Sequence, residues 1–368
     1  MKTIAIFSGY ALPHLGGIER YIDNLSRELI NRNYKVIIIS SNFNKSDSFE
    51  EKGNLINIRI PIYNMFKNRY PLPRKNKEYR NLIKKLDEYK IDRIIVNTRF
   101  HLTSHIGAKY GKKRNIPVYL IEHGSNYVTL DNKFIDFFAN RYEDYLTRRI
   151  KKKITGFYGV SQSAAKWLIK FGIKSDGVWY NSIDINQSLP DKKKHNGVNF
   201  LYAGRLIKQK GVLNILNAFS ELEKEYKNIT LYIAGDGPEM NDYKNEFKSK
   251  NIHFLGRLNY NQLVEYYSIT DVFLYPPLWP EGLPTSLLEA GLMKCCVIGT
   301  MQGGIVEVIN KNNGILVNGD TKSLVKAMKE SIDDNKKCNK LSLQLYNDIK
   351  KNFSWNVTVD KIINDIKL

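Results

Sequence analysis

The feature that most constrains this chain is a rhythm: short apolar runs of strand length alternate with segments of helical period, and the series runs twice. Residues 4–8 form the first apolar run, Gly16-Gly17 follow, and Ile22, Leu25 and Leu29 mark one face of a helix over 18–31. Strand character returns at 36–40, 56–60, 93–97, 118–122 and 156–160. Helical segments separate these runs at 77–89, 103–114, 132–153 and 161–171. Strand, glycine turn, helix, strand is the order of a doubly wound α/β domain, in which ligands bind beyond the carboxyl ends of the strands. Residues 184–196 break the series; with Pro190 and the run Asp191-Lys192-Lys193-Lys194-His195 they carry no apolar period and read as an exposed linker. A second series follows, with strands at 198–203, 229–234, 253–255, 272–275, 297–300 and 315–317. Its helices are expected at 211–226, 238–250, 261–267, 321–331 and 337–351, with another opening near Pro284. The last stretch has apolar residues at 355, 359, 362, 363 and 366, the spacing of a core-facing helix. A chain of 368 residues suits two domains of ordinary size, and two similar open sheets suggest a cleft between them.

Charge narrows the partners. The 57 basic and 37 acidic residues give a formal charge of +20, which favours nucleic acid, an anionic membrane surface or phosphorylated substrates. Three cysteines, Cys295, Cys296 and Cys338, have no metal-ligand spacing and are too few for a disulfide framework, which points to a reducing compartment. The adjacent pair lies in an apolar run and reads as core. The apolar run after Lys2 stops at Gly9, shorter than a signal-peptide core, and no stretch approaches the roughly 20 apolar residues that span a bilayer. A cytoplasmic protein, able to lie on a membrane, is the expectation.

The most informative stretch is Pro280-Glu281-Gly282-Leu283-Pro284-Thr285-Ser286-Leu287-Leu288-Glu289-Ala290-Gly291. It reads as a loop feeding a helix, with Pro284 tolerated in the first turn and Thr285 and Ser286 able to cap the amides there. The amino end of such a helix attracts phosphate without a metal. Glu281 falls just outside this anion site and Glu289 about one turn inside, so two acceptors flank a hole the size of a phosphate. A nucleotide sugar, with hydroxyls on both sides of its phosphates, would suit it. The plainer alternative is one solvated and one helix-face glutamate.

The run Gly204-Arg205-Leu206-Ile207-Lys208-Gln209-Lys210-Gly211 places cations at a strand's carboxyl end, where a departing diphosphate would need them. A solvated turn is the alternative. Ala234-Gly235-Asp236-Gly237-Pro238-Glu239 follows the next strand, as a ligand loop or as a simple glycine turn before a helix. In this order, with Phe254–Leu258, the glutamate stretch, and Gly303-Gly304 before Glu307, the chain resembles the retaining glycosyltransferases of family 4. The resemblance extends to Gly16-Gly17, Glu122-His123-Gly124, Gly159-Val160-Ser161 and Asn181-Ser182-Ile183-Asp184, nearly the whole chain. Each motif is weak alone; in this order they are specific.

The resemblance implies the GT-B fold: two Rossmann-like doubly wound α/β domains, 1–183 on the acceptor side, rejoined by the closing helix 355–368, and 184–354 binding the nucleotide sugar. It implies that Arg205 and Lys210 neutralise the donor diphosphate, that Gly204, Gly282, Leu283, Pro284 and Thr285 shape the donor site, and that Glu289 holds the ribose. Glu281 would contact hydroxyls of the transferred sugar, and Arg257 would lie near the base. Gly16 and Gly17 would let the backbone approach the phosphates. His123 would lie near the reacting sugar; from the residues alone it reads as a satisfied strand-end histidine. The implied reaction is metal-independent hexosyl transfer with retention, from a nucleotide-diphosphate sugar, UDP by family frequency, to a glycan acceptor. In it the leaving phosphate helps to accept the proton. The six histidines are scattered and no Asp-x-Asp stands at a strand end, so no metal cofactor is expected. Two departures, Lys294-Cys295-Cys296 and the absence of a proline before Asn181, touch the pocket's shape and not its charges.

The stretches 63–75 and 148–153 mix basic with aromatic or aliphatic residues and suit an anionic bilayer, or else a solvated charged face. The acceptor is therefore expected to be lipid-linked, for example on a polyprenyl diphosphate, or assembled at the membrane into cell-surface polysaccharide, with the enzyme peripheral at the cytoplasmic face. Rival readings are a soluble disaccharide synthase or glycan phosphorylase on the same scaffold, a silent sugar-nucleotide binder, and a basic nucleic-acid-binding protein. The last lacks zinc spacing and RNA-binding motifs.

Overall fold

The computed structural model describes residues 1–14, 16–65, 70–127 and 132–368. The chain divides into two compact units: Met1–Asn181 with Trp355–Leu368, and Ser182–Ser354.

The first unit is built on an eight-stranded sheet. Across it lie Gly177–Val178, Gly156–Gly159, Val118–Glu122, Arg93–Asn97, Thr3–Phe7, Lys35–Ser41, Leu55–Ile60 and Phe49–Lys52. All pairings are parallel except the last, where Phe49–Lys52 turns back antiparallel on Leu55–Ile60. The sequence reading missed this edge strand because Phe-Glu-Glu-Lys has neither apolar run nor alternation. It also missed the hairpin Ile62–Met65 with Tyr70–Pro73; Phe66 to Arg69, part of the stretch 63–75, lie outside the described residues. The central strands bury both faces, so the unit carries two cores. One, around Ile4, Ile6, Tyr21, Leu25 and Trp179, is completed by Trp355, Val359 and Ile362 of the closing helix Trp355–Asp365 and by Ile366 just beyond it. The other holds Phe7, Ile37, Ile58, Val96 and Leu120.

The second unit is a six-stranded parallel sheet in the order Ile252–Gly256, Ile229–Ala234, Val198–Ala203, Val272–Tyr275, Cys296–Thr300, Ile315–Val317. Counted along the chain this is 3-2-1-4-5-6, so the winding reverses between Val198–Ala203 and Val272–Tyr275. At such a reversal the loops diverge and leave a crevice for ligand. The helix expected over 238–250 is shorter, Met240–Glu246, because Phe247 turns extended at its end (φ −106°, ψ 90°) and packs against the core. The helix expected over 211–226 stops at Leu222. Nor is the linker free: Lys193 N–H donates to Ser268 O (3.0 Å), and Lys192 Nζ reaches the carbonyls of Tyr267 (3.1 Å) and Thr270. Cys295, Cys296 and Cys338 are buried free thiols.

Ile362 is fully buried on the closing helix. Ile362→Ala should cost the first unit about 2–5 kcal/mol, read as a lower urea midpoint for that unit by circular dichroism.

Candidate active site

In the second unit the loops after the first, second, fourth and fifth strands are tied to their neighbours by backbone bonds. Gly204 N–H donates to Ala234 O (3.0 Å), Leu206 N–H to Asp236 O (2.9 Å), and Gly235 N–H to Gly256 O (2.8 Å). Gly235 has φ +143°, and a Cβ there would lie 1.8 Å from Gly204 O, so only glycine allows these two loops to touch. On the other side of the reversal Leu278 N–H donates to Gln209 O (2.8 Å).

This framework brings Lys210, Tyr275 and Glu281 together. Lys210 Nζ donates to Glu281 Oε1 (2.5 Å) and to the Tyr275 hydroxyl (3.1 Å), and that hydroxyl donates to Glu281 Oε2 (2.6 Å). Lys210 and Glu281 are 15% and 21% exposed, so their charges are only partly screened by water. Burial, with the negative charge of Glu281 behind it, pushes the Tyr275 hydroxyl well above its ordinary pKa, so it stays a donor. The glutamate loop is held from behind. Gly304 N–H donates to Glu281 O (3.0 Å), and a Cβ on Gly303 (φ +51°) would fall 2.2 Å from the same oxygen.

The helix that follows is Thr285–Leu292. Pro284 is its N-cap, with extended backbone (φ −73°, ψ 124°), and no side chain caps the first turn. The expectation that Pro284 lies in the first turn and that Thr285 and Ser286 cap it is therefore wrong. Both hydroxyl residues lie inside the helix, beyond the position from which a cap reaches back, and proline carries no acceptor. Gly282 and Leu283 complete the loop, Leu283 buried beneath it. Glu289 is buried at 7% exposure and accepts from the Tyr267 hydroxyl (3.2 Å), which also reaches Ser286 O (3.2 Å). Arg205 is exposed, with no salt-bridge partner among the described residues; Tyr202 donates to its carbonyl (3.0 Å). Arg257 is also exposed, directly after Gly256. Lys210 and Glu281 thus stand in contact, Glu289 is buried in the helix Thr285–Leu292, and Arg205 and Arg257 are solvent-facing.

In the first unit His123 follows the strand Val118–Glu122. Its Nε2 meets Asn97 Oδ1 at 2.9 Å; the Asn97 amide nitrogen donates to Phe7 O (3.2 Å), so the oxygen faces the ring and Nε2 carries the proton. Tyr21 packs edge-to-face on the ring (centroids 5.1 Å). Burial, and then the neighbouring His101, hold His123 down to about 3. Gly16 is the N-cap of the helix Gly17–Asn31. Glu19 lies against it: a Cβ on Gly16 would be 2.3 Å from the Glu19 carboxylate, which also bonds His14 Nδ1 (2.9 Å). Gly17 faces open space. The backbone there is thus bare at Gly17 and covered by an acidic side chain at Gly16.

The sequence reading missed the tyrosines. Tyr202, Tyr267 and Tyr275 were not singled out; their rings are buried, but each hydroxyl contacts a candidate residue or its backbone. For Tyr275 the available signal was tyrosine in place of phenylalanine at the last position of a strand that ends at the ligand edge. Also missed was Arg99, fully buried with Glu122 (2.8 Å) and Glu143 (2.9 Å). Among the described residues no three His, Cys, Asp or Glu side chains converge as a metal site.

Two doubly wound units of this kind are matched by known glycosyltransferases. Residues 15–187 match the family model described as Glycosyltransferase Family 4, and residues 185–348 the one described as Glycosyl transferases group 1. The chain belongs to the group 1, family 4 glycosyltransferases and has the GT-B fold. It is 27% identical over 379 aligned residues to an uncharacterised glycosyltransferase of Methanocaldococcus jannaschii, covering 97% of this chain and 96% of that one. Alpha-monoglucosyldiacylglycerol synthase of Acholeplasma laidlawii is 27% identical over 306 residues, 74% and 73% of the two chains. The crystal structure of Anabaena HepE in complex with UDP superposes with a TM-score of 0.76 at 17% identity, covering both chains completely.

His101 and His105 are each held to about 4, chiefly by burial, and His123 to about 3. An unfolded chain takes up these protons near the ordinary histidine value of 6.5, while the fold resists them until pH 4 or below. The unfolded state therefore binds more protons in that window, and stability falls as pH drops from 6.5 to 4. The urea midpoint of the first unit should follow this slope. In NMR titration the three imidazole C2–H signals should not move between pH 5.5 and 8.

Proposed function

We propose that this glycosyltransferase moves a hexose, with retention at the anomeric carbon, from a UDP-sugar to a glycan acceptor that is lipid-linked or under assembly into cell-surface polysaccharide. It works without a metal, at the cytoplasmic face of a membrane. One observation carries the donor half of this reading: Lys210, Tyr275 and Glu281 bonded together where the second sheet reverses, on the loop that feeds a helix whose amino end no side chain caps. A diphosphate on those amides would draw its countercharge from Lys210 and from the solvent-facing Arg205. Glu281, released from part of its pairing, would accept from hydroxyls of the transferred sugar, and Glu289 from those of the ribose. Arg257 would lie toward the base. In the first unit, on the acceptor side, neutral His123, its Nε2 proton held by Asn97, would accept at Nδ1 from a hydroxyl of the reacting sugar, and Gly17 would offer its bare backbone to phosphate.

As bonds to the anomeric carbon exchange on one face, the acceptor's proton passes to the leaving phosphate oxygen. Lys210 and Arg205 stabilise the charge that develops there. The UDP preference is supported by the nucleotide held by the HepE structure, and the lipid or polysaccharide acceptor by the names of relatives. These include the diacylglycerol-sugar synthase and a Staphylococcus aureus capsular polysaccharide glycosyltransferase, 34% identical over 129 residues. No described helix is long and apolar enough to cross a membrane.

Lys210→Ala and Glu281→Ala should each lower kcat/KM by about 10²–10³-fold with the fold intact. Wild-type protein should gain melting temperature with UDP-sugars in a thermal-shift screen, and Lys210→Ala should gain less. Unchanged turnover in both variants would refute the assignment.

A further inference from the structure

The helix Lys133–Lys151 is amphipathic in an unusual sense. Its inner face buries Glu143, Leu146, Thr147 and Ile150. Its outer face is aromatic where a surface helix would be charged: Phe134 is 73% exposed, Phe137 55%, Phe138 56%, Tyr142 44% and Tyr145 50%. Positions 134, 137, 138, 142 and 145 form one ridge at helical spacing. Rings this exposed, in a row, mark a surface that something covers.

Two features identify what covers it. Along the ridge the aromatics change in order, from phenylalanine at 134–138 to tyrosine at 142 and 145, with Arg148 and Arg149 at its end; exposed Arg141 lies within the ridge, its guanidinium over the Phe137 ring (5.3 Å). This is the order of environments met from acyl chain through interface to phosphate. The chain's charge of +20 also repels a second copy and attracts an anionic surface. We propose that this helix docks the protein on an anionic bilayer, amino end first, with the phenylalanine ridge among the acyl chains and Arg148 and Arg149 on the lipid phosphates. Of the two stretches singled out from sequence, 148–153 ends this helix and Tyr70 of the other packs against Tyr142 (ring centroids 6.3 Å); the part that enters lipid is the ridge, which charge alone did not reveal.

The docking helix is joined to the candidate site. From its inner face Glu143 bonds Arg99 (2.9 Å), Arg99 bonds Glu122 (2.8 Å), and Glu122 adjoins His123 and accepts from Gly124 N–H (3.2 Å). All three charged side chains are buried, so each holds the others in place. The consequence rests on the proposed function: the acceptor is an amphiphile whose sugar stands at the bilayer surface, presented to the strand end that carries His123.

Purified full-length protein is sedimented with phosphatidylglycerol/phosphatidylcholine vesicles and with phosphatidylcholine alone. Wild type should pellet with the anionic vesicles only. F134S/F137S/F138S and R148E/R149E should each lose roughly tenfold or more of that partitioning, while their thermal shift with UDP-glucose stays that of wild type. A Phe137→Trp variant should shift its emission to the blue on vesicles and be quenched by brominated lipid. The proposal is overturned if wild type stays in the supernatant, if the serine variant pellets like wild type, or if the tryptophan is insensitive to lipid. It is equally overturned if the serine substitutions convert a dimer to a monomer in sedimentation velocity without changing partitioning. Loss of the UDP-glucose shift in wild type would count against the donor reading and leave the docking result standing.

Discussion

An ammonium and a carboxylate in contact, both withdrawn from most of the solvent, organise the candidate site. Lys210 and Glu281 come from opposite sides of the sheet reversal, one from the loop after the first strand and one from the loop after the fourth. Their attraction is weakly screened because each is less than a quarter exposed. Taking either away leaves the other charged and half-buried, which is the costly arrangement. The pair therefore sets the charge balance that any anion entering the crevice must alter.

The tyrosines make that balance directional. A hydroxyl whose pKa is driven up by burial remains protonated, so Tyr275 and Tyr267 act on Glu281 and Glu289 as fixed donors and not as competing acids. Glu281 has both oxygens committed to the protein, Oε1 to Lys210 and Oε2 to Tyr275, and Glu289 accepts at Oε2 from Tyr267. The aromatic ring behind each hydroxyl is packed in the sheet's core, which transmits the rigidity of the fold to the polar tip.

Much of this was legible in the sequence for a simple reason. Parallel strands buried on both faces are unbroken apolar runs, so 93–97, 118–122, 198–203, 229–234, 272–275 and 315–317 could be placed to the residue. The polar edge strand Phe49–Lys52 gave no such run. Helix ends were harder, because Phe247 leaves its helix for a hydrophobic contact that lies far along the chain. In the site, the charged residues stood out by type, while the side chains that orient them did not. Tyr275 looks like any core aromatic until its hydroxyl is seen, and Arg99 looks like a surface cation until Glu122 and Glu143 close on it. Contacts across 23 and 44 positions leave no local pattern.

The loops at the ligand edge of the second sheet are fastened to one another through main chain: Gly204 to Ala234, Leu206 to Asp236, Gly235 to Gly256, Gly304 to Glu281. Side chains at that rim are consequently unencumbered by architecture. Replacing the side chain of Arg257 would leave these main-chain ties in place, whereas Gly235 and Gly303 cannot gain a single carbon. Such a rim can diversify in what it recognises while the folding problem stays solved.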